Sequence, residues 1–414
     1  MIKHRRSIAW VFALACLSVA VAQAQGYTKP RVRAITAFVR LDLDAYPKEI
    51  ADTLAVLRSA RARFNEQGYE VETLRIVTQP LPELIKAVSD DEALRFLKAF
   101  DDLSVKEDFT PHVGAAMLRD SDDLRSMRLL RTALSTLPNV HANVSIAGDD
   151  GIHWKVIHEA AELVRYVADH SPGSVGTMDF TTTAMVKPYA PFFPGAYHDG
   201  AGKSFSIGLE GASVVQEVFA KTHGDFSGSV SELTKQLTVH AKVAEAIGTQ
   251  VASKTGWSFM GVDPTPAPRA DVSIGKAIET YTGAHFGSNG TMTAALIITT
   301  AVKAVPVKQV GYSGLMIPVL EDGVLSQRWA EGKINTESLL AYSAVCGTGL
   351  DTIPFPGDIT VAQLERVFSD VASLAWKWNK PLSARLQPMA GMKAGDRTNF
   401  KGVFLSNTAL QPIP

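Results

Sequence analysis

Apolar residues recur at every second position in some stretches of this chain and with helical spacing in others, and the two patterns alternate almost from end to end. This alternation constrains the fold more than any single motif. Strands are predicted at Arg33 to Leu41, Glu70 to Val77, Val140 to Ala147, Thr177 to Val186, Lys203 to Leu209, Trp257 to Asp263, Gly311 to Leu320 and Leu382 to Met389. Helices are predicted from Pro47 to Gln67, where Gly68 suits a C-terminal cap, from His153 to Asp169, and across a mostly helical region from Pro82 to Leu137. Ser229-Val-Ser-Glu232 and Thr360-Val-Ala-Gln363 have the spacing of capping boxes. Strand followed by helix, repeated this often, implies an α/β fold with largely parallel strands, whose polar residues gather at strand ends.

The first 24 residues stand apart from this pattern. Lys3, Arg5 and Arg6 precede an apolar run from Ile8 to Ala22, and Ala22-Gln23-Ala24 supplies small residues at a cleavage site. The run is about 15 residues, short of the roughly 20 that span a bilayer, so it reads as a secretory signal removed near Ala24. The expected product is a periplasmic or secreted protein without stable membrane insertion, with residues 25–414 forming one α/β domain. Of the 2 cysteines, only Cys346 then remains, so no internal disulfide forms. With 41 basic against 42 acidic side chains before cleavage, nothing favours nucleic acid or an anionic membrane. A small-molecule ligand or substrate is the expected partner, and assembly as a homo-oligomer stays open.

Several familiar arrangements fail on their own terms. Gly200-Ala-Gly-Lys203-Ser204 has Tyr197 where a phosphate-binding loop needs its first glycine, and a strand follows where a helix is required. His158-Glu159 lacks the second histidine of a zinc-protease helix. The chain has no Gly-x-Ser-x-Gly elbow, no dinucleotide fingerprint after its first strand and no Cys-x-x-Cys.

Candidate chemistry concentrates in loops that interleave charge with Gly and Pro. Phe192-Phe193-Pro194-Gly195-Ala196-Tyr197-His198 leads an aromatic wall to an imidazole, and Glu210 ends the next strand. Asp263 ends another strand before three prolines, as a ligand, a base or a turn former. Phe286-Gly-Ser-Asn-Gly-Thr291 precedes a helix and could cap it or hold an anion. Cys346-Gly347-Thr348-Gly349-Leu350-Asp351 puts a lone thiol, buried or reactive, on a tight turn beside a carboxylate. Lys380, Arg385 and the run from Lys393 to Arg397 form a compact basic element suited to an anion clamp or a solvated surface.

Phe192-Phe-Pro194 with Ala196-Tyr-His198, Gly261-Val-Asp263 with Ala267-Pro268, Gly311-Tyr312-Ser-Gly-Leu-Met316 with Pro318-Val-Leu-Glu321-Asp322, Cys346 to Asp351 with Pro356-Gly-Asp358, and Asn379-Lys-Pro-Leu382 occur in that order. On these motifs, from about Arg33 to the C-terminus, the chain resembles the domain of unknown function family 711, also called uncharacterised protein family 0210. The resemblance implies a pyruvate formate-lyase-like fold, a single large ten-stranded α/β barrel with surrounding helices and a loop entering the barrel, with Cys346 on or near that loop. It implies no particular reaction. Gly391 and Gly395 lie in a basic loop without a glycyl-radical signature, so radical chemistry is not expected. Members of the family look cytosolic, which makes the leader of this chain a departure.

These readings converge on an exported hydrolase- or lyase-type enzyme that acts on a small polar or anionic molecule by acid/base or metal-assisted chemistry. His198 is the expected base, with Glu210, Asp263 and Asp351 as acids or ligands to a hard divalent cation such as Mg or Ca. Cys346 is the expected nucleophile or pocket wall, Lys380 and Arg385 the anion clamp, and Gly347, Gly349 and Tyr312 further substrate contacts. The alternative is a periplasmic binding protein without turnover, and a structural factor would instead show a large exposed apolar patch. Intact-mass measurement of the protein recovered from the exported fraction is expected to give a chain starting at Gln25, whereas a mass that includes Met1 would show the leader is retained.

Overall fold

Ten staves close into a barrel, and their directions follow from the pairing of the strands. The computed structural model describes residues 28–269, 272–401 and 404–413, so the expected leader lies outside the described residues. Its strands are β1 (Arg31–Phe38), β2 (Val71–Pro80), β3 (Thr110–Gly114), β4 (Ala142–Gly148), β5 (Gly151–Ile152), β6 (Phe180–Ala184), β7 (Ser204–Glu210), β8 (Ser258–Asp263), β9 (Gly349–Pro356) and β10 (Leu382–Met389). One sheet runs β3-β2-β1-β7-β8 and the other β5-β4-β6-β10-β9. Neighbours are parallel except at β1 with β7, β6 with β10, and the short β4–β5 hairpin.

Both seams between the sheets are hydrogen-bonded. On one side the Val113 amide donates to the His141 carbonyl at 2.9 Å and the Ala116 amide to Asn143 at 2.8 Å, joining β3 to β4. On the other side the missing stave is the irregular segment from Lys308 to Leu320. The Val310 amide donates to the Val262 carbonyl of β8 at 3.1 Å, and the Val319 amide donates to the Asp351 carbonyl of β9 at 3.0 Å. With this segment and without the two-residue β5, five staves run each way, the number the family resemblance implies.

Helices wrap the outside because every stave turns its apolar face outward. Ile35, Leu74, Ile76, Val144, Ile146, Ile207, Leu350 and Leu386 pack in one core with Leu54, Leu57 and Phe64 of the helix Tyr46–Glu66 and with Phe368 and Val371 of the helix Val361–Trp378. No helix among the described residues is long and apolar enough to cross a membrane.

Apart from Phe38 and Val77 the inward faces carry mostly polar or small residues, and a finger formed by Val186 to His198 fills the lumen between them. The Thr36 hydroxyl of β1 donates to the Pro191 carbonyl at 2.6 Å, and the Asn143 side chain of β4 donates to the Ala196 carbonyl at 2.8 Å. Ala196 packs on Phe38 and Val77, while Phe193 lies against His112 and His141. Contacts with staves around the whole circumference place the finger inside the barrel. Cys346 by contrast packs in the outer core ahead of β9, away from the loop on which the resemblance puts it.

Other departures from the sequence-based elements have local causes. Thr110–Gly114 is a strand inside a region whose helical periodicity hides it, and Gly349–Pro356 is a strand despite Pro354 and Pro356. The predicted strand at Gly311 to Leu320 is the irregular stave, while Thr177 to Asp179 belong to a 3-10 turn ahead of β6. Thr360 and Gln363 form a capping box, but Ser229 does not. Asp225 caps that helix, which starts at Phe226, and the Ser229 hydroxyl bonds back to the Asp225 carbonyl inside its first turn.

Gly208 of β7 faces the finger, and a Cβ there would meet the Phe192 ring at 2.7 Å. Gly208→Ala is expected to lower stability by about 1–3 kcal/mol, with part of the loss recovered when Phe192→Leu is added, both read from urea unfolding midpoints. An unchanged midpoint in the single variant would show that the finger is not packed against β7.

Candidate functional site

Where β1, β2, β4 and β6 begin and β7 ends, beside the first halves of β9 and β10, the charged residues of the barrel converge. Arg33 on β1 meets Glu72 on β2 at 2.7 Å, Glu210 at the end of β7 at 3.4 Å and Glu321 at 3.5 Å. Arg385 on β10 binds Asp351 of β9 at 2.7 Å and Glu321 at 2.5 Å. Arg269 reaches Glu72 at 2.9 Å, and Arg31 contacts Glu72 and Glu210 at 3.6 Å each from the rim. These groups sit inside the molecule, yet the side chains of Arg33 and Glu321 keep 19% and 17% of their exposure, so solvent reaches them. A cleft of about 300 Å³ opens beside Glu72 between β2, β3 and the helix Asp90–Glu107.

The tip of the finger roofs this chamber. Phe193 stacks on His141 with ring centroids 4.3 Å apart, meets His112 edge-on at 5.4 Å, and has the Arg385 guanidinium 5.4 Å from its centroid. His141 Nε2 lies 3.2 Å from Asp179, and Arg75 on β2 completes this wall. Arg75 donates through Nε to the Thr73 hydroxyl at 3.2 Å, while its Nη1 is buried without a partner. His112 Nε2 and His141 Nδ1 are also buried and unpartnered.

Burial and neighbouring charge set the protonation states. Burial, reinforced by the adjacent Glu72, pushes Glu210 up to about 8, and the two carboxyls share a hydrogen bond. Burial likewise pushes Asp179 up to about 8. Burial works against ionised Glu321, but Arg385 and Arg33 outweigh it and hold that carboxyl below its usual range. His141 falls to about 3 and His112 goes well below its usual value, because both are buried and Arg75 disfavours their cations. Burial, then Arg33 and Arg385, pull Arg75 down. A guanidinium nevertheless stays protonated, so what Arg75 lacks is a counter-ion.

Glu210, Asp351 and Arg385 belong to this chamber; Glu210 ends β7, as the strand-end argument expects, whereas Asp351 and Arg385 lie within β9 and β10. Tyr312 lies within electrostatic reach of Asp351 and Arg385, and the other candidate residues are placed elsewhere. His198 is buried and donates from Nε2 to the Val39 carbonyl at 2.9 Å, just past the end of β1 opposite the Arg31–Glu210 pairing. At about 3.3 Å per residue, roughly 26 Å of strand separates them, so His198 cannot share a substrate with Glu210. Asp263 is a buried clamp. Its oxygens accept from the amides of Thr265, Tyr312 and Ser313 at 3.0, 2.8 and 3.2 Å, fixing the irregular stave. Burial raises its pKa to about 6 against those bonds.

Tyr312 is buried in the finger's own apolar cluster beside Gly195. Lys380 donates to the Ala344 carbonyl at 3.1 Å near Cys346, whose thiol burial pushes up to about 12, well out of the reactive range. Gly349 adopts φ +87° because its Cα meets the Ser383 backbone, where a Cβ would lie 2.2 Å from the carbonyl oxygen, and Gly347 packs on Gly314. These two glycines serve strand packing. Lys393 and Arg397 sit in the C-terminal loops, so the compact basic element separates into unrelated parts. Gly287 and Thr291 close on each other, the hydroxyl accepting from the Gly287 amide at 3.1 Å, while the helix that starts at Thr291 has no side-chain cap. No grouping of three or more His, Cys, Asp or Glu spaced to hold a metal ion occurs among the described residues, so Glu210, Asp263, Asp351 and His198 do not form a ligand set.

Arg33, Glu72, Arg75, His112, His141, Asp179 and Glu321 are the residues the sequence reading left out of the site. The available signal was charge inside strand patterns, in Arg31-Val-Arg33 and Glu70-Val-Glu72. A second cleft, of about 610 Å³, opens at the opposite end of the barrel and is lined by Glu83, Arg119, Asp122, Asp149, His153 and Tyr197 among others.

Fold and site define an α/β barrel with an internal finger and an arginine-rich chamber at one end. Residues 26–401 match the family model described as Uncharacterised ACR (DUF711), and the chain belongs to that family. A UPF0210 protein of Pyrobaculum aerophilum is 27% identical, with 90% of this chain and 88% of the relative covered. One from Listeria monocytogenes is 26% identical, with 89% and 85% covered. Among solved structures, an anaerobic ribonucleotide reductase aligns over 94% of this chain and 78% of its own at 8% identity, with a TM-score of 0.40, a likeness that carries no argument about chemistry.

The raised carboxyls give a pH dependence of defined sign. Glu210 and Asp179 hold their protons to about 8 when folded, against ordinary values of 4.5 and 3.8, so the folded state binds protons that the unfolded chain has released. Their contribution is fully present below the unfolded values and is lost as pH rises through about 8. The thermal midpoint is therefore expected to fall between about pH 5 and 9, and Glu210→Gln with Asp179→Asn to flatten that fall. An equally steep profile in the double variant would refute the assignment.

Proposed function

We propose that the chain is an exported enzyme that binds a small anionic molecule in the arginine-rich chamber and transfers a proton to it. Arg75 carries this reading: a buried guanidinium beside two others, with no carboxylate of its own, is stable when a ligand anion supplies the missing charge. Glu210 supplies the chemistry. It stays protonated at neutral pH next to Glu72, and after giving up its proton it becomes a carboxylate stabilised by Arg31 and Arg33. Asp351 and Glu321 hold Arg385 in place from both sides, and Phe193 closes the chamber from above.

The reading is tested on the chain from Gln25 onward by thermal unfolding with small anions at millimolar concentration. At least one anion is expected to raise the midpoint by several degrees, and Arg75→Met to abolish the rise. With a substrate in hand, Glu210→Gln is expected to lose turnover by about 10²–10⁴-fold while keeping affinity. Binding without turnover in the unmodified chain would make it a binding protein, and no response to any anion would overturn the reading altogether.

A further inference from the structure

Every guanidinium at the charged end but one bonds a carboxylate. Arg31 bonds Glu70 at 2.9 Å, Arg33 bonds Glu72 at 2.7 Å, Arg269 bonds Glu72 at 2.9 Å, and Arg385 bonds Asp351 and Glu321. Arg75 has only a neutral hydroxyl. Its surroundings allow little more negative charge, because Glu321 and Glu72 interact with it electrostatically while Asp351 and Glu321 already flank the neighbouring Arg385.

The histidine beside it is engaged at one nitrogen only. Asp179, pushed up to about 8 by burial, lies 3.2 Å from His141 Nε2, and with the proton on the carboxyl its O–H donates to Nε2. The imidazole proton then resides on Nδ1, which is buried without an acceptor. Arg75 Nη1 and His141 Nδ1 are thus two buried N–H donors on one wall, close enough for Arg75 to disfavour the imidazolium. Two donors and one uncompensated positive charge match a group with two acceptor oxygens and one negative charge.

Resting on the anion-binding reading above, we propose that the ligand is a small monocarboxylate whose carboxylate seats on Arg75 and His141, in preference to a phosphate-type dianion. A second negative charge would have to sit against Glu321 and Glu72, the carboxylates that already act on Arg75.

The test measures binding of matched probes to the chain from Gln25 onward by titration calorimetry at pH 7.5: acetate against methylphosphonate, benzoate against phenylphosphonate, and inorganic phosphate. At least one carboxylate is expected to bind about tenfold or more tighter than its phosphonate partner, and Arg75→Lys, which keeps the charge but loses the fork, to weaken it by about tenfold. A phosphonate or phosphate that binds as tightly as the carboxylates, or tighter, overturns the carboxylate assignment and leaves the anion site standing. If no probe binds, both readings fail. The comparison on the unmodified chain decides between these outcomes even if the Arg75 variant does not fold, and carboxylate binding unchanged in a folded Arg75→Lys variant would also overturn the assignment.

Discussion

The finger from Val186 to His198 is the constraint on which the rest of the barrel depends. Ten staves enclose more space than their own side chains fill, and here the inward faces carry Thr36, Asn143 and Ser206, groups that lose free energy when buried without partners. The finger supplies carbonyls to Thr36 and Asn143 and apolar bulk to the space between them. Asp263 makes the same arrangement possible on the open seam, because its carboxylate holds Tyr312 and Ser313 where a regular strand would otherwise be needed.

The chamber below the finger is organised at the expense of stability. Five arginines and five carboxyls have been drawn into or toward the protein interior, where desolvation opposes every charge and only close pairing offsets it. Most of the set is paired. Arg75 is the exception, and its unpartnered Nη1 shares a wall near Phe193 with the unpartnered ring nitrogens His112 Nε2 and His141 Nδ1, although Asn143 Oδ1, Ser206 Oγ and Tyr312 OH also lack partners elsewhere in the lumen. Such grouping is what a preorganised binding wall requires, since the groups that meet a ligand are already stripped of water and held by their strands.

Much of the architecture was legible in the residues. The strand at Leu382–Met389 has the boundaries its alternation predicts, and the helix after Tyr46 stops at Gly68 with φ +74° as a glycine cap requires. The failures have physical reasons. Thr110–Gly114 is too short to override the helical periodicity on either side of it, and the prolines and glycines of Gly349–Pro356 signal a loop in a segment whose tertiary neighbours pull it into a ladder. Glu210 was found because strand ends collect polar residues, Asp351 as the carboxylate beside a glycine-rich turn and Arg385 as part of a basic element. Arg75, His112 and His141 were not, because a barrel with its lumen filled by a finger reverses the usual rule: the buried inward face is the polar one. His198 and Asp263 stood out for their loop context, and that context is a structural tether in both cases.

The finger descends from one end of the barrel and returns to it. Its two roots, around Val186 and Tyr197, border the 610 Å³ cleft, while its tip, Phe193, forms the ceiling of the chamber at the other end. The two ends of the barrel are therefore joined by one segment running along its lumen. One continuous stretch of backbone, Val186 to His198, thus borders the far cleft at its roots and meets His141 and Arg385 at its tip.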